Sequence, residues 1–483
     1  MTNTIDTDVV IIGAGSAGLY ALREVRRAGR DFRVIDRGPL GTTCARVGCM
    51  PSKVALHSGA RWAARHTLPA MGVQGVEGLS IDLSAAWSQL RQQRDLFADN
   101  AIAKARSAAT DRLIEGAARF IEPTLIEVET PTGHQRIRAA AVVIATGSRP
   151  VMPGWLEAVR DRTINTDELF ELSTLPSRIG ILGLGAIGLE MGVALSRLGI
   201  QVTGADLAPH VGGIIDPVVA ERARQCFARE MSLWLNTETQ VERTATGIRM
   251  RAGEREAEVE LLLAALGRRP NVDELGLQAA GFPLDERGTP LFHPATLQIG
   301  DLPVYIAGDA NADRPLMHEA SDEGAIAGYN AARSARTERP TDFEHPASFK
   351  RKVSMGIAFS NPDVVTVGAR FDALPSEGIL IGTAEGEQNG RVRILGANDS
   401  LLRIYADASD GRLRGASMLA VDGEHLAHLL AWAIQRGETA SDLLELPFYH
   451  PVVEEMLQTA LQDIVRQLPA SSPYPFGLRA RHA

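Results

Sequence analysis

The stretch Thr7-Asp8-Val9-Val10-Ile11-Ile12-Gly13-Ala14-Gly15-Ser16-Ala17-Gly18 decides the fold. A buried parallel strand, Thr7 to Ile12, runs straight into a GxGxxG phrase. Leu19 to Ala28 then have helical character, and Phe32 to Ile35 form a second short strand closed by Asp36. Gly13, Gly15 and Gly18 permit a tight turn and close approach to a pyrophosphate. The helix amino terminus attracts that anion, and the acid accepts from a ribose hydroxyl. A lone GxGxxG would be weak; with strand, helix, second strand and acid in order it is a dinucleotide fingerprint.

The same unit returns downstream. Ile179 to Leu182 read as a strand, Gly183-Leu184-Gly185-Ala186-Ile187-Gly188 follows, a helix runs through Leu198, and the strand Gln201 to Ala205 ends in Asp206. From first glycine to acid the separations are 36 − 13 = 23 and 206 − 183 = 23. Equal spacing makes this an internal repeat of a binding unit. No Arg or Lys stands in Leu207-Ala208-Pro209-His210, so Asp206 accepts from the free 2′-hydroxyl of NAD and repels the extra phosphate of NADP.

Beside the first unit lies Gly41-Thr42-Thr43-Cys44-Ala45-Arg46-Val47-Gly48-Cys49-Met50-Pro51-Ser52-Lys53, with two of the chain's three cysteines. Five residues apart on a regular helix, Cα atoms stand roughly 8 to 9 Å apart. That exceeds the roughly 7 Å a disulfide can span, so Cys44 and Cys49 can pair only on a distorted turn. Thr42, Thr43, Gly48 and Pro51 allow one before a helix. A strained, accessible disulfide is easily reduced and suits catalysis. Two unrelated buried thiols or a small metal site are the alternatives, but no Cys or His lies near enough in sequence to complete a zinc cluster. Two dinucleotide units beside the pair favour redox chemistry. Cys226, in a helical pattern beginning near Val218, reads as a small buried apolar residue.

The 483 residues suffice for about three domains, and 45% of them are apolar. Lys and Arg total 50 against 59 Asp and Glu, a net charge of -9, which argues against a nucleic-acid surface. The amino terminus lacks a basic n-region, and no run of 18 apolar residues occurs, so neither a signal peptide nor a membrane span is expected. Three cysteines in so long a chain indicate a reducing, cytoplasmic compartment. Residues 80 to 109 look helical; Ala139 to Ala145 form a strand leading to Thr146-Gly147-Ser148-Arg149-Pro150, and Leu261 to Leu266 lead to Gly267-Arg268-Arg269-Pro270. Leu302 to Asp309 read as a strand ending in glycine and acid, Leu316 to Ala332 as a helix, and Pro340 to Pro346 as a linker. Strand patterns fill Phe349 to Ala420, and helices follow at Gly423 to Arg436 and Val452 to Leu468, flanking His450-Pro451-Val452-Val453-Glu454-Glu455.

This ordered set resembles the pyridine nucleotide-disulfide oxidoreductase family (class I), most of all its dihydrolipoamide dehydrogenases. The resemblance implies an α/β fold with two Rossmann-like dinucleotide-binding domains plus a C-terminal α+β dimerisation domain. Residues 1–150 would bind FAD, 151–275 NAD, 276–345 would complete the FAD domain, and 346–483 would form a homodimer interface. By resemblance Cys44 is the interchange thiol and Cys49 the thiol in charge-transfer contact with flavin. Lys53 pairs with Glu190 near flavin, and Asp309 holds the ribityl chain. Thr43, Ala118, Thr146, Gly147, Met317 and His318 join Asp36 and Lys53 around FAD, and Val241 and Gly267 join Gly183, Gly185, Gly188 and Asp206 around NAD. His450, oriented by Glu455, is the base facing the other subunit's disulfide. No metal is implied.

The implied reaction is oxidation of dihydrolipoamide, or a related dithiol, by NAD+. The thiol substrate would be a small molecule or a lipoyl group on a partner protein. Arg46, where the relatives carry asparagine, motivates a rival: NADH-dependent reduction of a small acidic disulfide. A rival of another class is a redox-responsive flavoprotein that serves as a binding component of a multienzyme complex.

Overall fold

The computed structural model describes residues 4–335, 345–469 and 477–478. Most of the expected linker Pro340 to Pro346, part of the 276–345 segment, and the last residues of the 346–483 segment lie outside them. The chain divides into two compact units: 1–51, 88–151 and 267–351 form one, and 52–87, 152–266 and 352–483 the other.

The first unit is built on the strand Thr4–Ile12, whose last four residues are fully inside. It pairs in parallel with Phe32–Asp36 on one side and with the long strand Gly133–Ile144 on the other. Leu113–Glu115 extends the sheet beyond Phe32–Asp36. The far edge of Gly133–Ile144 is shared: its first half pairs antiparallel with Leu125–Thr130, which in turn pairs with Ala117–Glu122, and its last three residues pair with Val304–Ile306. The helix Ser16–Arg27 begins immediately after the glycine turn. Gly18 is there because its Cα faces the Gly13 carbonyl; a Cβ would fall 1.9 Å from that oxygen.

In the second unit the parallel sheet runs in the order Ser232–Trp234, Gln201–Ala205, Arg178–Leu182, Leu261–Ala264, Thr163–Asn165. Its helix Ala186–Arg197 repeats the first motif, and a Cβ on Gly188 would again stand 1.9 Å from the Gly183 oxygen. A separate antiparallel sheet joins Gln240–Arg243, Ile248–Ala252 and Arg255–Val259. A five-stranded antiparallel sheet, from Met355–Ala358 to Leu413–Ala420, carries the helices Gly423–Arg436 and Glu455–Gln467 over one apolar core.

Helix Glu455–Gln467 lies directly on the strand Ile379–Glu385, because Gly382 lets the two backbones meet. A Cβ at 382 would fall 2.0 Å from the Ala460 oxygen. Gly382→Val is therefore expected to destabilise the fold by about 3 kcal/mol, measured as a lower urea midpoint, and to displace the helix that bears Glu455.

The elements agree with the α/β reading, with informative differences. The strand expected over Leu302 to Asp309 is only Val304–Ile306; Gly308 has φ +69° and opens a 3-10 turn over Gly308–Asn311, so Asp309 sits on a turn. The helix expected from Val452 starts at Glu455. Val452 N–H instead donates to the Glu455 carboxylate, which ties the residues before the helix to its first turn.

Candidate active site

The glycine turns and their acids form two matching cradles. Asp36 Oδ2 accepts from Ala14 N at 2.7 Å, and Asp206 Oδ2 from Leu184 N at 2.5 Å. Each second oxygen accepts from the acid's own loop, at Gly38 N and Ala208 N. Gly15 and Gly185 stand at the helix amino termini without a side-chain cap, and a Cβ on either would meet nothing within 4 Å. Unfilled amides facing open space are what a dinucleotide pyrophosphate requires. The donor sets therefore fit a dinucleotide in each cradle.

In the first unit, Thr146 Oγ1 is buried with no hydrogen-bond partner among the described residues, a vacancy that a flavin's polar edge could satisfy. Gly147 has φ +68° and Gly267 φ +93°, and a Cβ on either would meet open space. Asp309 Oδ2 accepts from Ser148 Oγ at 2.7 Å. Arg268 Nε donates to that same hydroxyl at 2.9 Å. Since arginine can only donate, the Ser148 proton must point to Asp309, which leaves Oδ1 as the carboxylate's other acceptor. Ala118 lies on the strand Ala117–Glu122, Thr43 is exposed beside Cys44, and Met317 and His318 stand exposed at the start of helix Met317–Ser334. Val241 sits on the separate antiparallel sheet.

The cysteine loop is two helices with a break between them. Thr42 Oγ1 caps the short helix Thr43–Arg46 by accepting from Ala45 N at 3.1 Å. Val47, at φ −137°, interrupts it, and Gly48 passes so close that a Cβ there would stand 3.1 Å from the Thr43 oxygen. Helix Cys49–Ala63 then begins at the second cysteine. Cys44 and Cys49 are both half-buried. Burial pushes the Cys226 thiol up to about 11, so it is inert at neutral pH.

One turn past Cys49, Lys53 Nζ lies 2.8 and 2.9 Å from the two Glu190 oxygens. Glu190 is 5% exposed. It also accepts from Phe359 N at 3.0 Å, and the Phe359 ring centre lies 4.4 Å from Nζ. An ammonium bracketed by a carboxylate and a ring face is fixed in position.

His450 Nδ1 stands 3.0 and 3.2 Å from the Glu455 oxygens. The His450 contact, and after it the Val452 amide, hold the Glu455 carboxyl below its ordinary range. A carboxylate only accepts, so Nδ1 carries a proton, and in the neutral ring Nε2 then holds the lone pair, the tautomer a general base needs. The His450 side chain is 79% exposed in the chain.

The structure thus brings together Lys53 with Glu190, His450 with Glu455, and each acid with its glycine turn. Ser148, Arg268 and Phe359 were missed as contributors. Ser148 and Arg268 stood inside the two glycine phrases, where equivalent polar residues after each strand were the available signal. Phe359 carried no signal.

Two glycine cradles of this kind, with a cysteine pair on a broken helix, define a two-dinucleotide α/β disulfide oxidoreductase. Residues 7–324 match the pyridine nucleotide-disulphide oxidoreductase family, and residues 354–461 match its dimerisation domain. The chain belongs to the pyridine nucleotide-disulphide oxidoreductase family, whose members use FAD and NAD(H). It is a flavin-containing disulfide oxidoreductase.

Among its relatives is dihydrolipoyl dehydrogenase of Bacillus subtilis, 25% identical over 468 residues that cover 95% of this chain and 96% of that one. The dihydrolipoyl dehydrogenase of Halobacterium salinarum is 27% identical over 475 residues, covering 94% and 96%. A Cu(II) complex of the HOCl-induced flavoprotein disulfide reductase RclA from Escherichia coli shares the fold with a TM-score of 0.81 at 22% identity, covering 95% of this chain and 99% of that one. LpdA from Mycobacterium tuberculosis does so at 0.81 and 23%, covering 94% and 99%. Among the described residues no helix is long and apolar enough to cross a membrane.

Proposed function

We propose that the protein oxidises dihydrolipoamide, or a related dithiol, with NAD+ as a cytoplasmic homodimer. Residues 1–150 with 276–345 hold FAD, 151–275 hold NAD, and 346–483 form the interface. The observation that carries the reading is the His450–Glu455 pair, an oriented acid–base group suited to moving a proton at a substrate sulfur.

In this account the partner subunit's His450 takes a substrate thiol proton on Nε2. The substrate thiolate attacks Cys44 Sγ, the Cys44–Cys49 bond breaks, and Cys49 leaves as thiolate. The substrate's second thiol then attacks its own first sulfur, closing the product disulfide, and its proton passes to the departing Cys44 sulfur while the first proton stays on His450. FAD, when bound, carries the resulting electron pair from the reduced cysteines to NAD+. Lys53, fixed by Glu190, would supply positive charge to the flavin chemistry, and Asp309, aimed by Ser148, would accept from the ribityl chain.

Arg46 weakens as the motive for an acidic substrate, because its Nη1 is engaged by the Pro39 carbonyl at 3.2 Å. Comparing initial rates with dihydrolipoamide and NAD+ against rates with NADH and acidic disulfides tests the reading. Efficient dithiol oxidation supports it, and activity confined to the acidic disulfides contradicts it. The Asp206 carboxylate further predicts kcat/KM for NAD+ about 10²-fold or more above that for NADP+, measured by steady-state kinetics, with the ratio falling in Asp206→Ala.

A further inference from the structure

We propose that Arg94 is a buried positive charge that anchors the redox loop and favours thiolate in the Cys44–Cys49 pair. This rests on the reading of those cysteines as the redox pair. Arg94 lies on helix Leu83–Ala109 and is 7% exposed. Its Nη1 donates to the Arg46 carbonyl at 3.2 Å. That carbonyl lies between the two cysteines, at the end of the short helix Thr43–Arg46, where backbone oxygens lack intrahelical partners.

The same helical face holds the loop further along. Four and eight residues beyond Arg94, Ala98 and Ile102 meet Gly41, where a Cβ would fall 3.5 Å from the Ala98 oxygen and 3.1 Å from Ile102 Cγ1. Positions 94, 98 and 102 therefore grip residues 41 to 46 from one side. A surface-type basic residue would not be placed in that row, so burial of the charge calls for a reason.

The reason is the charge that develops when the pair is reduced. Arg46 is two residues from Cys44 and three from Cys49, so its Cα is at most about 8 and 11 Å from theirs. At about 10 Å and an effective dielectric near 20, a fixed guanidinium favours a neighbouring thiolate by about one pKa unit. Arginine does not deprotonate to escape burial. The charged groups of the loop and its flanking helices include Arg46, held on Pro39; Arg91, Asp95 and Asp99, on the same helix as Arg94; and Lys53, on the helix that begins at Cys49 and paired with Glu190. Asp95 receives Arg94 Nε at 2.6 Å with its side chain 57% exposed, so water weakens its offset.

The test uses the dithiothreitol-reduced holoprotein, alkylated with iodoacetamide from pH 5 to 10, with modification of Cys44 and Cys49 followed by mass. Cys226 stays silent below its raised value. Arg94→Gln keeps a donor for the Arg46 carbonyl and removes the charge; Arg94→Lys keeps the charge. In R94Q the alkylation midpoint is expected to rise by about one unit, with the rate at pH 7 about five- to tenfold lower and the rate at pH 10 unchanged. In R94K the midpoint returns close to wild type. A midpoint unmoved in R94Q, or moved equally in R94Q and R94K, overturns the charge role of Arg94 while leaving the redox pair intact. A wild-type protein in which neither thiol reacts faster at pH 7 than free cysteine overturns the redox reading of the pair, and this proposal with it.

Discussion

Cys44→Ser is expected to lower the rate of dithiol oxidation by NAD+ by roughly 10⁴-fold or more, while flavin content and the circular dichroism spectrum stay those of the wild type. A serine hydroxyl cannot form the mixed disulfide through which thiol exchange passes, and removal of a nucleophile that acts within a set costs nearly the whole of that set's contribution. The loop should tolerate the change. Its shape comes from the Thr42 cap, the Val47 interruption, the close passage of Gly48 and the Arg94 bond to Arg46, none of which uses the Cys44 sulfur. Steady-state rates with dihydrolipoamide check this; activity within tenfold of wild type would remove Cys44 from the mechanism.

His450→Gln is expected to cost between about 10² and 10⁴-fold in the same assay, the usual contribution of a positioned general base. The loss should be concentrated at neutral pH and recover partly above about pH 9, where free thiols ionise without help. Glu455→Gln should cost less, because the ring remains and only its orientation and tautomer are loosened. Glu455 ionises below the ordinary carboxylate range because His450 and the Val452 amide hold its charged form. A depressed folded value means that this contact supports the fold above the unfolded carboxylate pKa and is lost as pH falls through the folded one. The pair is therefore intact throughout the neutral range. Rate profiles of the three proteins from pH 5 to 10 check both expectations; a His450→Gln profile parallel to wild type at every pH would contradict the base role.

Much of this arrangement could be read from the chain because glycine geometry leaves a fixed spacing. The two cradles need a Gly at the turn, a Gly under the helix and an acid at the next strand's end, and 13, 18 and 36 repeat at 183, 188 and 206 for the same steric reason. The cysteine loop was legible in part. A pair five residues apart demands a broken helix, and Val47 with Gly48 supplies the break. His450 and Glu455 could be paired through the HPxxxE pattern of the family resemblance, and the two side chains meet at 3.0 Å.

What escaped reading depends on contacts between segments far apart in the chain. The long strand Gly133–Ile144 pairs with three different neighbours on its two edges, which no local period reveals. Arg94 looked like any polar residue of an exposed helix until its neighbours Ala98 and Ile102 were seen against Gly41. Ser148 and Arg268 are 120 residues apart, and only the pairing of Ser148–Pro150 with Arg268–Pro270 sets them side by side at Asp309. Phe359 reaches Lys53 and Glu190 from beyond the second fingerprint.

The most direct measurement is anaerobic stopped-flow absorbance of the flavoprotein mixed with dihydrolipoamide and then with NAD+. The account predicts a long-wavelength band of thiolate beside flavin that rises quickly with the dithiol and is discharged by NAD+. A band raised by NADH but not by dihydrolipoamide would contradict the proposed substrate, and no band with either reductant would contradict the role of Cys49 itself.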